Sequence, residues 1–102
     1  MKIPINSLAD LGLLARATRK SNKLRLDDVA GSAGLGAVFV GDVEHGKETV
    51  QFGRVLKLLN ELGIDLFADI PESSLAEVEK LKVNGLKPRA TRASKKSTGV
   101  MK

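Results

Sequence analysis

The sequence predicts an all-α fold, a bundle of four to five short helices with a short strand near its C-terminal end. Apolar residues recur at helical spacing in several segments, and glycine-containing turns separate those segments. The chain has 102 residues, of which 42% are hydrophobic, so it suffices for one domain with a core. Basic residues concentrate at both ends of a mildly acidic middle, which indicates a polyanionic partner.

The first predicted helix runs from about residue 8 to 22 and carries a basic face. Ser7 is a suitable N-terminal cap, and Asp10 follows it near the positive end of the helix dipole. Leucine and alanine residues recur at helical spacing and are expected to pack inward. Another face carries basic residues at the spacing i, i+3, i+4 and i+7, namely Arg16, Arg19, Lys20 and Lys23.

The next two predicted helices, at about 26–32 and 36–44, are joined by a turn at Gly34. Glycine there supplies the left-handed backbone conformation that such a turn needs. Val40 and Val43 are expected to anchor the second of these helices to the core. Residues 50–62 form the clearest amphipathic helix, ending at Gly63. Its predicted apolar stripe consists of Phe52, Val55, Leu56, Leu59 and Leu62.

The C-terminal third of the chain is predicted to contain a short strand, a short helix and a basic tail. Residues 64–70 are predicted to form a short strand that ends at Pro71, and Ser74 is a candidate cap for a last short helix. From residue 86 onward the chain is basic, lacks acidic residues and is predicted to be disordered. We therefore expect a domain at 1–70, a short helix within 71–85 and a basic tail at 86–102.

Residues 37–47 permit a second interpretation, a buried strand followed by a phosphate-binding loop. The stretch begins with residues of high strand propensity and ends with the spacing G-x-x-x-x-G-K. Against this, Glu48 stands where Mg²⁺ coordination needs serine or threonine, and Asp42 and Glu44 would put carboxylates beside the phosphate. The chain also lacks the alternating strands and helices of a parallel sheet, so the helix–turn–helix interpretation is favoured.

Composition excludes several classes of function. The chain has no cysteine and one histidine, which excludes disulfides, a thiol nucleophile and a Cys/His zinc site. No nucleophile–base or metal constellation can be assembled, so we expect neither an enzyme nor a cofactor. Because no apolar run approaches membrane-spanning length, we expect a soluble, cytoplasmic protein without a membrane partner.

From about residue 11 to 66 the sequence resembles the Xre/Cro-repressor family of helix–turn–helix domains, and most of all the HipB-like antitoxins. The resemblance rests on Leu11-Gly12, Arg16, Arg19-Lys20 and Leu24, on the small and apolar positions of the two turn-flanking helices, and on a later block. That block contains Asp42-Val43-Glu44-x-Gly46-Lys47, Thr49-Val50-Gln51-Phe52-Gly53-Arg54-Val55-Leu56-Lys57-Leu58-Leu59 and Leu62-Gly63-Ile64.

The resemblance implies a homodimer that binds double-stranded DNA, with its C-terminal strand paired to its twin. It places the base-reading positions at Gly36, Ala37, Val38, Gly41 and Asp42. Contacts to the DNA backbone are expected from Arg16, Lys20, Lys23, Arg25 and Lys47. In the family an arginine at the Arg19 position pairs with a glutamate at the Glu44 position. Leu58, Leu66 and Phe67 could build the dimer surface, with burial inside the monomer as the alternative for Leu58.

The base-reading positions depart from the polar or basic residues usual in the family. None of the four small or apolar residues there forms a bidentate hydrogen bond to a base; Ala37 or Val38 could touch a thymine methyl group, and Asp42 could accept from cytosine. DNA shape could then supply specificity. The leading hypothesis is a DNA-binding antitoxin and autorepressor with a HipA-like kinase toxin as partner. The alternative is a protein-interaction module that binds a toxin or regulator with little sequence-specific DNA recognition.

Overall fold

The described residues, 1–85, are predominantly helical in this computed structural model, and the predicted all-α fold is confirmed for them. A boundary between two compact units falls between Leu66 and Phe67. The first unit contains four helices and the second contains a single turn of 3₁₀ helix and a fifth α-helix. Their bounds are α1 (Leu8–Ser21), α2 (Leu26–Ala33), α3 (Ala37–Glu44), α4 (Phe52–Leu62), the 3₁₀ turn (Glu72–Ser74) and α5 (Leu75–Asn84).

The start of α1 is capped as its sequence predicts. The Ser7 hydroxyl accepts a hydrogen bond from the Asp10 backbone N–H at 3.1 Å. In return, the Asp10 carboxylate accepts from the Asn6 backbone N–H at 2.9 Å. Two backbone donors at the helix start are thereby satisfied, and a carboxylate lies at the positive end of the helix dipole.

The core of the first unit lies among α1–α4. Contacts join α3 to α1 and α2, and α4 to the same two helices. Val40 and Val43 of α3 are completely buried, so this helix is an integral part of the core. Residues 37–40 are therefore helical, and the alternative of a strand before a phosphate-binding loop is wrong. The buried hydrophobic residues are Leu11, Ala15, Val29, Ala30, Val40, Val43, Val55, Leu58, Leu59 and Leu62.

All four helices of the first unit end in the same way. One residue adopts a left-handed conformation, and its N–H and that of the next residue bond back to carbonyls of the last turn. After α2 this residue is Gly34, at φ 72°, as the sequence predicts. After α3 and α4 it is Gly46 and Gly63, but after α1 it is Lys23, at φ 57°.

The predicted apolar stripe of α4 is partly wrong. Val55, Leu59 and Leu62 are buried as expected, whereas the Phe52 and Leu56 side chains are 54% and 44% exposed. Leu58, predicted for the dimer surface, is completely buried instead. The helix is rotated so that Leu58 fills the core and the Phe52–Leu56 edge faces outward. A side chain enclosed within its own chain cannot contact a partner, so Leu58 is removed from the predicted dimer surface.

The segment after α4 differs from its prediction in detail. Within this single chain, residues 64–70 form no strand, and Ile64 packs partly buried against the core. The last helix lies where it was expected, but the Ser74 side chain makes no capping hydrogen bond. The predicted basic tail, 86–102, lies outside the described residues. Among the helices of the described part, none is long and apolar enough to cross a membrane.

Candidate nucleic-acid interface

The centre of the candidate interface is the turn between α2 and α3. Gly34 donates its N–H to the Gly31 carbonyl at 3.2 Å, and Leu35 donates to the Ala30 carbonyl at 2.8 Å. Leu35 packs partly buried against the core, while Val29 and Ala30 lie within it. This arrangement turns the chain sharply and begins α3 directly after Gly36.

The two sides of α3 have opposite characters. Val40, Val43 and Glu44 are buried. At 100° per residue, Val38 and Asp42 lie on the opposite side of the helix. Val38 is 80% exposed, and the side chain of Asp42 is 37% exposed. Gly36 and Ala37 are exposed as well, and Gly41 is intermediate. All five predicted base-reading positions therefore belong to the accessible part of α3 or its first turn.

A buried ion pair fixes α3 to α1. Arg19 donates from Nε to Glu44 Oε2 at 2.7 Å and from a terminal nitrogen to Glu44 Oε1 at 3.0 Å. The other terminal nitrogen donates to the Leu24 carbonyl at 2.9 Å. The side chains of Arg19 and Glu44 are only 11% and 3% exposed. The predicted structural pair is thus present in bidentate geometry, and it also holds the connection into α2.

The electrostatics of this pair favour the charged arginine. The hydrogen bonds to Glu44 raise the pKa of Arg19 above its ordinary value, burial opposes them, and the charge of Glu44 adds to the rise. Arg19 is therefore a permanent cation at physiological pH. Because its donors are engaged by the protein, its role is to position α3.

The predicted backbone-contacting residues are all exposed. Arg16 and Lys20 lie on α1, Lys23 lies in the corner after it, and Arg25 immediately precedes α2. Arg25 is 3.5 Å from Asp27, with side chains 78% and 69% exposed. An ion pair this exposed contributes little, so Arg25 remains available to an external anion.

The fifth of these residues, Lys47, is coupled to the outward side of α3. Its Nζ lies 3.5 Å from Asp42 Oδ2, and its side chain is 55% exposed. Asp42, predicted as a hydrogen-bond acceptor for cytosine, is thus paired within the protein. The long distance and the exposure make this a weak pair that either a phosphate or a base could replace.

Gly12 and Gly46 were named from the sequence only as part of the family resemblance, and sequence reasoning missed that they position the interface. A Cβ built on Gly12 of α1 would fall on the Val43 carbonyl oxygen and lie 2.9 Å from that of Glu44. A Cβ on Gly46 would lie 2.7 Å from the Ala9 Cα. The backbone of α1 therefore packs directly against the backbone at the end of α3, and each of these two segments contributes a glycine to the contact. A glycine within a helical pattern indicates such a close approach, and Gly12 carried that signal.

The described residues contain no cluster of three or more histidine, aspartate or glutamate side chains that could hold a metal ion. What they assemble is a helix with one side in the core and the other accessible, next to exposed cationic side chains. A basic surface with a protruding helix suits a polyanion that has a groove wide enough to admit the helix.

Comparison with known proteins gives one sequence relative and several solved structures. No protein-family model matches the chain. An uncharacterized HTH-type transcriptional regulator of Sinorhizobium fredii, y4mF, is 48% identical over 66 residues, which cover 63% of this chain and 87% of that protein.

Several solved structures share this fold. Chains of the HipA–HipB–O2–O3 complex and of the HipB–O4 20mer complex superpose with a TM-score of 0.64 at 15% identity, covering 70% of this chain and all of theirs. At that identity the likeness concerns the fold alone. The restriction-modification controller protein C.AhdI of Aeromonas hydrophila matches with a TM-score of 0.51 at 33% identity, over 57% of this chain and 84% of its own.

Proposed function

The chain belongs to the family of helix–turn–helix transcriptional regulators, and from that premise we propose that it is a DNA-binding antitoxin and autorepressor of the HipB-like kind. In this proposal a homodimer binds the operator of its own operon in the cytoplasm. Two copies of α3 enter successive major-groove faces of a pseudo-palindromic site, about one helical turn apart. The protein partner is a HipA-like kinase toxin.

One observation carries the DNA-binding part of the proposal: α3 is anchored on one side and accessible on the other. Val40 and Val43 are fully buried, and Glu44 is held by Arg19, so the helix has a fixed orientation. Its opposite side projects Val38 away from the protein. The second helix of a helix–turn–helix enters the major groove, and base readout needs this combination of rigidity and access.

Exposed cations provide the expected contacts to the DNA backbone. Neutralising phosphates releases counterions, so binding that depends on these residues weakens steeply as salt rises. Such contacts set the register of the protein on the duplex without reading its sequence. The five candidates are Arg16, Lys20, Lys23, Arg25 and Lys47.

The antitoxin part rests on the fold and on a block of sequence. The fold is similar to that of chains in a HipA–HipB complex. The block between Val40 and Gly63, followed by residues 64–70, is the part that most resembles HipB-like antitoxins. Co-purification of a kinase encoded beside this protein, in a stable complex with it, would support the antitoxin role. A lone regulator gene with no interacting kinase contradicts that role but leaves DNA binding intact.

The homodimer is supported by apolar surface that a single chain leaves exposed. Phe52 and Leu56 lie four residues apart on α4 and are 54% and 44% exposed, and Leu66 is 43% exposed. The predicted strand at 64–70 is absent from this single chain, and in this proposal it pairs with the same segment of a second chain. Sedimentation analysis of a Phe52→Ser, Leu56→Ser double variant should show a folded monomer, whereas Leu58→Ser should unfold because that side chain is completely buried.

A mobility-shift titration with DNA from upstream of the protein's own gene tests the proposal directly. We expect retention at low salt, a steep loss of affinity between 50 and 200 mM salt of roughly 10³-fold or more if six or more phosphates are contacted, and weaker binding to scrambled DNA. No retention at low salt would contradict DNA binding.

A second function is favoured by the side chains at the base-reading positions. Gly36, Ala37, Val38 and Gly41 offer no hydrogen-bonding side chain, so the fold could serve as a protein-interaction module with little specific DNA recognition. Equal affinity for upstream and scrambled DNA, together with tight binding to a toxin or regulator, would favour this alternative. A clear preference for the upstream sequence would exclude it.

A further inference from the structure

Val38 is the most exposed large hydrophobic residue of helices α1–α4. It is 80% exposed and points away from the core side of α3, which contains Val40 and Val43. Valine in a helix has essentially one side-chain rotamer, so its two methyl groups are held in fixed positions. This rigid apolar group on the accessible side of α3 has no apolar partner among the described residues of this chain.

The residues around Val38 are smaller than the fold requires. A Cβ added at Gly36 or at Gly41 would meet nothing within 4 Å, and neither residue has a left-handed backbone. Glycine within a helix costs roughly 0.5–1 kcal/mol relative to alanine, so Gly41 is not explained by stability. With Ala37 beside them, these residues allow the backbone of α3 to approach a ligand closely around the protruding Val38.

The accessible side of α3 can recognise only certain groups of a base pair. None of the side chains from Gly36 to Asp42 has a hydrogen-bond donor, and the acceptor of Asp42 lies 3.5 Å from Lys47. The acceptors of guanine and adenine in the major groove therefore find no side-chain donor there. The apolar group that the major groove offers is the C5 methyl of thymine, and 5-methylcytosine presents a methyl at the same ring position.

We propose that Val38 recognises the C5 methyl group of a pyrimidine in the major groove, and that this contact is the main source of base specificity. The inference rests on the proposed DNA binding and adds the chemical group that is recognised. The small residues beside Val38 bring its methyl groups to the pyrimidine methyl, and the cationic side chains bind the flanking phosphates. Specificity thus arises from apolar contact in place of the usual bidentate hydrogen bonds.

The expected effect follows from the area that one methyl group buries. Removing a buried methyl costs about 0.8 kcal/mol, which is roughly a fourfold loss of affinity. A dimer that makes the contact in both half-sites should lose roughly fifteenfold when both methyls are removed. Uracil in place of thymine removes only that methyl and keeps the base pair unchanged.

The experiment uses the full chain and a DNA site selected from a random-sequence pool. Each thymine of the selected site is replaced in turn by uracil, and affinity is measured by fluorescence anisotropy at constant salt. We expect about a fourfold loss at one thymine of each half-site. A second arm replaces the sensitive T·A pair by C·G and by 5-methyl-C·G. The protein should bind the site with the methylated C·G pair about fourfold more tightly than the site with the unmethylated pair. Comparing its affinity for the thymine site with that for the 5-methylcytosine site then shows which base supplies the recognised methyl group.

Variants assign the contact to its residue. Val38→Ala should bind thymine and uracil sites equally, while Leu13→Ala, which alters a 64% exposed residue of α1, should keep the full preference for thymine. Circular dichroism checks that both variants fold. The inference is overturned if every uracil site binds like its thymine counterpart, or if Val38→Ala retains the preference. If the chain selects no DNA at all, the proposed DNA binding itself fails. If the chain selects DNA but uracil has no effect, only this inference fails, so the two failures are distinguishable.

Discussion

At the scale of single residues, the Arg19–Glu44 pair does the most to define the candidate interface. It links the last turn of α1 to the last residue of α3, and Arg19 also holds the Leu24 carbonyl. Because the pKa of Arg19 is raised in the folded protein, the contribution of its charge to stability is present at neutral pH. It is lost only as pH rises through that raised value, above the physiological range.

Breaking this pair should be far more costly than breaking an exposed one. Arg19→Ala leaves the Glu44 carboxylate buried without its partner, and we expect the free energy of unfolding to fall by about 3–5 kcal/mol. Arg25→Ala is the matched control, since its pair with Asp27 is largely exposed, and its effect should stay within about 0.5 kcal/mol. Urea unfolding followed by circular dichroism measures both. Similar losses in the two variants would show that the buried pair has no special role.

Replacing glycine by alanine should have opposite effects on stability at two positions. Gly12→Ala would drive a methyl group into the Val43 carbonyl, so α1 and α3 must move apart, at a cost of about 1–3 kcal/mol. Gly31→Ala adds its methyl to open space within α2 and should stabilise by about 0.5–1 kcal/mol. Thermal unfolding of both variants gives the signs. A neutral Gly12→Ala would mean that the backbones of α1 and α3 do not touch.

At the scale of helices, α1 differs from the other three helices of the first unit in the residue that ends it. Lys23 adopts a left-handed conformation at φ 57°, where the other three helices use glycine. A side chain in that conformation costs free energy, which glycine avoids. An exposed lysine kept there is consistent with its proposed contact to phosphate.

The exception can be tested with one pair of variants. Lys23→Gly should stabilise the fold by roughly 0.5–1 kcal/mol, yet weaken DNA binding because a cation is removed. Lys20→Gly removes the same charge from within α1 and should instead destabilise the fold by up to about 1 kcal/mol. Melting temperature and DNA affinity are measured for each. Unchanged DNA affinity in Lys23→Gly would remove Lys23 from the interface.

Local sequence predicts the helices well, because caps and turns are local features. Ser7 and Gly34 set the start of α1 and the turn before α3, and both behave as expected. The buried side of α4 was predicted less well. Its apolar residues span an arc of about 160° around the helix, with Leu56 and Leu58 at opposite edges of that arc. Periodicity alone therefore cannot show that Leu56 is 44% exposed while Leu58 is completely buried.

The candidate site shows the same division between local and distant information. The resemblance to a family identified Arg19 and Glu44 across 25 residues of sequence, and the structure pairs them. The close approach of Gly46 to Ala9 was not predicted, because it depends on how α1 and the end of α3 pack. The predicted strand at 64–70 is not formed in this single chain, and its pairing across a homodimer stays a prediction.

At the scale of the whole molecule, the basic tail at 86–102 is separate in sequence from the core residues that the structure describes. All ten buried hydrophobic residues of the described part of the chain lie between Leu11 and Leu62. Residues 86–102 contain six basic residues and no acidic one, and the first 25 residues contain six basic residues and one acid. A change of charge within residues 86–102 therefore alters the electrostatic attraction to a polyanion and leaves the described core residues unchanged in sequence.

Removal of residues 86–102 should accordingly separate binding from folding. The melting temperature of the shortened chain should match that of the full chain, because every buried hydrophobic residue of the described part, 1–85, is retained. DNA affinity at low salt should fall, and the slope of log affinity against log salt should decrease by about 0.9 for each phosphate that the shortened chain no longer neutralises. A full-length variant with the six basic residues replaced by glutamine distinguishes charge from chain length and should behave like the shortened chain. An unchanged affinity and slope would assign the basic tail to another task.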